Sequence, residues 1–289
     1  MPSISQLNVY PIKSCGGISL DTVRLTSHGL EHDRDWMLVD AQGRFVTQRT
    51  HPALALVRPE LNGDGLAVGT PGMPTLTLAL DAAELAGAPS VTVTVWSDTL
   101  TALDAGDDAA RWFSDFLGAS VRLVRFNPNV ERLASRKWTG DATAGVHFAD
   151  GFPLLLIGEA SLADLNARLS GKGVDPIPMN RFRPNVVLAG VDAYEEDYTD
   201  TLSIAAADGN VLLRIVKPCS RCPIPTIDQA RGAPDPRWPN EPTDTMSTYR
   251  GDSRLDGAVT FGQNAIVVAG AGDTLAVGQP IEVELRFDA

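Results

Sequence analysis

The chain has 289 residues, 44% hydrophobic and 21% charged, a composition that excludes disorder and leaves room for one large domain or two modest ones with buried cores. A net charge of -12 without any basic run excludes a general electrostatic grip on a nucleic acid duplex. The start, MPSISQLNVYPIKS, lacks a basic segment followed by an apolar one, and no stretch reaches the ~18 apolar residues of a membrane-spanning helix, so a cytoplasmic protein with no membrane partner is expected.

In chain order, strand signals outnumber helix signals. Short apolar, β-branched runs recur at QLNVYPI (6–12), DWMLVD (35–40), the alternating VTVTVW (91–96), VRLVRF (121–126), NVVLAG (185–190), VLLRIV (211–216), NAIVVAG (264–270) and IEVELRF (281–287). Two segments predict helices. DDAARWFSDFLG (107–118) opens on acidic residues and closes on Gly118, while EASLADLNARLSG (159–171) sets Leu162, Leu165 and Leu169 at helical spacing with Gly171 as the stop. With 26 glycines and 20 prolines as punctuation, the pattern is many short strands joined by turns, not an alternating βαβ chain. Between the two helices, NPNVERLASRKWTGDATAGVHFADG (127–151) is polar and without period. A structureless stretch of that length is a linker or an active-site segment, and two domains are expected around it.

Two of the three cysteines stand in KPCSRC (217–222). A thioredoxin-type couple runs into a helix after its second cysteine, whereas here Pro223 and Pro225 follow. His28 and His32, at i and i+4, could complete a Cys2His2 zinc set with Cys219 and Cys222, yet Gly29 and the charged EHDRD around them look like a turn leading into a strand. A buried pair of free thiols is the bland reading, and a disulfide is disfavoured in a reducing compartment. The remaining one is a thiolate ligand for a soft metal, with Lys217 and Arg221 expected to lower the pKa of the adjacent sulfur. The residues themselves do not choose the metal.

Larger patterns narrow the choice. KPCSRCPIPTIDQARG (217–232), NRFRPNVV (180–187), FGQNAIVV (261–268) and VGQPIEVEL (277–285) together resemble the MOSC domain, the β-barrel module of molybdenum-cofactor proteins. VYPIKSCGG (9–17), GLEHDRDWMLVD (29–40) and FVTQRTHPALALV (45–57) resemble the N-terminal domain that accompanies it in the mitochondrial amidoxime-reducing components and their bacterial relatives. The resemblance implies a mostly β (α+β) chain with few short helices: a β-rich N-terminal domain over 1–121 packed with a MOSC β-barrel over 122–289.

What the resemblance implies for function falls on named positions. Cys222 would be the molybdenum ligand, with Cys219 beside it. Lys13, Ser14, Arg34, Arg183, Asn185, Ser220, Arg221 and Asn264 would contact the molybdopterin, whose phosphate suits arginine best. Asp150 would serve substrate binding or proton delivery at the pocket mouth. The implied activity is removal of oxygen from N-hydroxylated compounds such as amidoximes or N-hydroxylated nucleobases. Three cysteines, with Cys15 in the N-terminal motif, give no internal iron–sulfur cluster, so a separate flavin or iron–sulfur reductase is expected to supply electrons. The alternative is a carrier of the cofactor or of persulfide sulfur, as the related domain of the cofactor sulfurases suggests. The prolines of CPIPTID (222–228) stand where many relatives carry larger aliphatic or hydroxyl residues, which leaves substrate preference open.

Overall fold

The computed structural model describes residues 1–286 apart from 64, 86, 207 and 208. Its main strands are β1 (Ser3–Val9), β2 (Ile18–Leu20), β3 (Trp36–Val39), β4 (Ser90–Val95), β5 (Asp98–Asp104), β6 (Arg122–Phe126), β7 (Leu154–Gly158), β8 (Val186–Ala189), β9 (Thr199–Ala206), β10 (Gly209–Ser220), β11 (Ala258–Ala269) and β12 (Glu282–Leu285). Among the described residues the helices are α1 (Asp107–Leu117), α2 (Arg136–Thr139), α3 (Glu159–Gly171) and α4 (Thr243–Ser247), with six short 3-10 turns besides. Every apolar run read as a strand from sequence falls on a strand, although Phe287 of the last run lies outside the described residues.

The large sheet runs in the order β2-β1-β8-β7-β11-β10-β9-β12. Its two ends meet. Ile4 N–H donates to the Gln279 carbonyl at 3.0 Å and Ile281 N–H to that of Pro2 at 3.0 Å, so the segment before β12 pairs with β1 and the sheet closes on itself, burying a core that includes Leu7, Val9, Leu156, Leu188, Leu202, Leu213 and Ala265. Among the described strands only β7 and β8 pair in parallel, joined through α3; parallel neighbours need such a crossover. A second sheet, β3-β6-β5-β4, reads as plain alternation: Leu100 and Ala102 point in, Thr99 out. Helix α1 covers it with Ala109, Trp112 and Phe113.

Three elements cross the expected division at 121/122. β1 and β2 belong to the sheet built by the C-terminal half, and β6 belongs to the N-terminal one. The two helices read from sequence lie where caps and spacing put them, with one correction, while the short α2 and α4 were not expected. Gly118 closes α1 in the left-handed region (φ 62°), but α3 runs through Gly171 and Lys172 caps it; the left-handed residue is Gly173 (φ 78°), because a helix stops where the backbone can reverse, and only Gly173 does so.

Candidate active site

Three segments carry the site to one place. The pairing of β10 with β11 slips between Ile215 and Lys217 and again between Pro218 and Ser220, bulges that bend the end of β10 and re-aim Cys219 and Ser220. Segment 127–151 is an ordered flap rather than a linker. Arg132 holds it, its guanidinium donating to the carbonyls of His147 (2.7 Å), Ala149 (2.6 Å) and Asp150 (3.1 Å) and to Asp98 (2.7 Å), which delivers Asp150 inward. From the N-terminal part, the buried Gln48 and Gln229 exchange amide hydrogen bonds at 3.1 and 3.2 Å, and Gln48 also donates to the Ser14 carbonyl at 2.7 Å. That clasp ties the N-terminal motif to the segment following the cysteines.

All ten residues expected at the site line one cavity of about 410 Å³: Lys13, Ser14, Arg34, Asp150, Arg183, Asn185, Ser220, Arg221, Cys222 and Asn264. Cys219, Arg49, Trp96, Arg181 and Lys217 join them. Seven cations (Lys13, Arg34, Arg49, Arg181, Arg183, Lys217, Arg221) therefore face a single lining carboxylate, Asp150, in a chain of net charge -12. Such segregation raises the local concentration of anions.

The two central arginines are set by one aromatic ring. Arg34 lies over Tyr10 at 4.3 Å and Arg183 over the same ring at 4.2 Å; the ring's π faces attract both guanidinium groups. Tyr10 also accepts no slack: its N–H donates to Asp33 at 2.8 Å and its hydroxyl, pushed up to about 12 by burial, donates to the Pro184 carbonyl at 3.2 Å. Arg34 donates to Asp33, to Asn185 at 3.1 Å and to the Arg183 carbonyl at 3.3 Å. Arg183 gives one N–H to the Cys15 carbonyl at 2.6 Å, and burial, with the charge of Arg34 adding to it, brings its guanidinium down to about 10. Among the described residues Arg183 has no carboxylate within ion-pair distance. A buried cation so placed is stabilised by an anionic ligand.

Backbone conformation marks the same place. Ser14 (φ 69°), Arg34 (φ 54°), Trp96 (φ 56°) and Arg183 (φ 59°) are four of the seven non-glycine residues in the left-handed region among the described residues, and all four line the cavity. Strain of about 1–3 kcal/mol per residue persists where the surroundings over-determine it, and it gathers at functional sites.

Other expected residues prove to be engaged by the protein itself. The Arg221 guanidinium donates to the Phe261 carbonyl (2.6 and 2.8 Å) and that of Phe182 (3.1 Å), and its N–H to Val259, so it anchors the cysteine loop instead of offering free donors. Asn264 donates to the carbonyls of Lys217 (3.2 Å) and Pro218 (3.4 Å). Asn185 donates to the Asn8 carbonyl and accepts from Leu155 N–H and Arg34. Lys13, buried, is shared by Asp150 and the Phe148 carbonyl; burial lowers its pKa against the pull of Asp150. Burial would raise the Asp150 carboxyl, but Lys13, Arg49 (3.6 Å) and the Trp96 N–H (3.3 Å) hold it well below the usual range.

The cysteine electrostatics correct one expectation. Burial pushes the Cys219 thiol up, overriding the lowering pull of Arg221 and Lys217. The zinc set does not assemble either: His28 stacks on His147 at 3.8 Å, His32 sits 3.8 Å from Asp35, and no cluster of three or more metal-ligating side chains occurs among the described residues. Tyr10, Arg49, Trp96, Arg181 and the Gln48–Gln229 pair were not singled out from sequence. Most lie inside the quoted motifs, but nothing in the spacing distinguishes them from their neighbours.

The fold and site define a class: a closed β-barrel joined to a second β-rich unit, with a cationic cavity for an anionic ligand beside two thiols. Residues 1–120 match the MOSC N-terminal beta barrel domain and residues 143–282 the MOSC domain. Mitochondrial amidoxime reducing component 2 of Bos taurus is 36% identical over 86% of this chain and 72% of its own; mitochondrial amidoxime-reducing component 1 of Mus musculus is 33% identical over 96% and 81%. Among solved structures, the YUAD protein from Bacillus subtilis aligns with 95% of this chain and 94% of its own at 11% identity, with a TM-score of 0.36. The chain belongs to the amidoxime-reducing component family of MOSC proteins.

Proposed function

We propose that this chain is a molybdenum-cofactor oxidoreductase that removes oxygen from N-hydroxylated compounds, among them amidoximes and N-hydroxylated nucleobases. The single observation that carries the proposal is the convergence of seven cations and a cysteine pair on one cavity, in a chain whose relatives are named for amidoxime reduction. The residues fit the group. Arg183, buried and without a carboxylate partner among the described residues, and Arg34 would receive the pterin phosphate, with Lys13 and Ser14 beside them. Cys222 would hold the metal, as the family resemblance implies, with Cys219 beside it on the same cavity wall.

When bound, the molybdenum centre supplies two-electron chemistry that removes one oxygen atom. The chain's own residues do the rest. Asp150, kept ionised by Lys13 and Arg49, orients a substrate N–H or O–H at the mouth and is a poor proton donor at neutral pH. Arg221 and Asn264 stiffen the loop and strand end that present the cysteines. The balance is substrate, two electrons and two protons in, and the reduced product with one water out. Three cysteines cannot supply an iron–sulfur cluster beside a metal ligand, so the electrons come from a separate flavin or iron–sulfur reductase in a cytoplasmic setting. No helix among the described residues is long and apolar enough to cross a membrane. The two-domain division at 121/122 stays part of this proposal.

Elemental analysis of protein expressed in a host that makes the cofactor tests the proposal. Molybdenum near one per chain is expected, falling several-fold in Arg183→Ala. Zinc in its place would contradict it.

A further inference from the structure

Trp96 and Ser97 form the two-residue connection between β4 and β5, whose last and first residues, Val95 and Asp98, pair directly. Hairpin turns of that length call for positive φ and are usually filled by asparagine, aspartate or glycine. Here the left-handed position (φ 56°) holds a tryptophan, the bulkiest residue available, and the side chain is not buried in return: Trp96 is 47% exposed. Neither turn preference nor core packing explains it.

Its surroundings fix the indole beside the cavity. The N–H donates to Asp150 at 3.3 Å, the Arg49 guanidinium lies 4.6 Å from the ring, and Phe45 packs against it tilted at 5.0 Å. Asp150 and Arg49 are themselves 3.6 Å apart, so indole, guanidinium and carboxylate form one braced unit on the cavity wall. Even so braced, Trp96 keeps 47% of its surface exposed, next to a carboxylate. We propose that Trp96 is a specificity-determining residue: its ring stacks on the planar, π-rich part of an N-hydroxylated substrate while Asp150 accepts a hydrogen bond from the substrate's N–H or O–H. Aryl amidoximes and N-hydroxylated purines are then preferred over small aliphatic amidoximes. The inference rests on the N–O reductase reading and names the substrate class of that same site.

The test compares kcat/KM for benzamidoxime and acetamidoxime in molybdenum-loaded protein with reduced viologen as donor, together with molybdenum content and thermal midpoint. Trp96→Asn suits the turn's backbone, so the fold is retained; the benzamidoxime/acetamidoxime ratio is expected to fall about tenfold, chiefly through KM, the size of one aromatic stacking contact. Trp96→Phe is expected to recover most of the ratio. An unchanged ratio in Trp96→Asn, or an equal loss in Trp96→Phe, overturns the inference while leaving the reductase reading intact. Wild-type protein that reduces neither compound overturns both.

Discussion

At the scale of single residues, the site divides by what each side chain has left to give. Arg221 and Asn264 spend their donors on backbone carbonyls, whereas Cys222 stands in the loop beyond β10 and lines the cavity. With Cys222 as the ligand that the family resemblance implies, Cys222→Ser is expected to abolish molybdenum binding and activity, and Cys219→Ser to keep metal near the wild-type level. Metal content by mass spectrometry of the two variants decides between them; loss only in Cys219→Ser would reverse the assignment. Tyr10 offers a second check. Its ring keeps two like charges in register, each cation–π contact contributing about 0.5–2 kcal/mol. Tyr10→Leu is expected to lower pterin content more than tenfold, while Tyr10→Phe, which keeps the ring and loses one hydrogen bond of about 1 kcal/mol, stays within about threefold. Pterin released from each variant is quantified by fluorescence. None of this was visible in VYPIKS, where Tyr10 reads as one more strand residue; its role exists only once Arg34 and Arg183, 149 positions apart in sequence, meet across its ring.

At the scale of elements, legibility followed the range of the interaction that decides each one. Strands and helices come from local periodicity and caps, so β4, α1 and α3 lie where their sequences put them. The Gly171 stop failed for want of a backbone angle, since two glycines two residues apart both satisfy the pattern and only Gly173 takes a positive φ. Segment 127–151 has no period because its order comes from Arg132, whose bonds run to carbonyls at 147, 149 and 150. Arg132→Ala leaves those carbonyls short of a partner and is expected to cost about 3 kcal/mol. In Arg132→Lys the ammonium cannot replace the planar fork. Limited proteolysis with mapping of the cleavage sites checks this: faster cutting within 127–151 in both variants is expected, and unchanged protection would show that the flap is held by its apolar packing through Ala134, Val146 and Val216.

At the scale of the whole molecule, the basic patch is invisible along the chain because its cations are scattered: Lys13, Arg34, Arg49, Arg181, Arg183, Lys217 and Arg221 form no run. Barrel closure through β1 and the Gln48–Gln229 clasp gather them, leaving a strongly acidic exterior around a cationic interior. A reductase docking on such a surface would do so through charge, so coupled turnover should fall with added salt while a small artificial donor is much less affected. The central claim is that the gathered cations and Cys222 hold a molybdenum cofactor that takes oxygen from an N–O group. It is tested most directly by mixing anaerobic, molybdenum-loaded protein with reduced methyl viologen and benzamidoxime. Two viologens oxidised for each benzamidine formed is the result expected, with none formed when NADPH alone replaces viologen. Fully loaded protein that forms no benzamidine would contradict the claim.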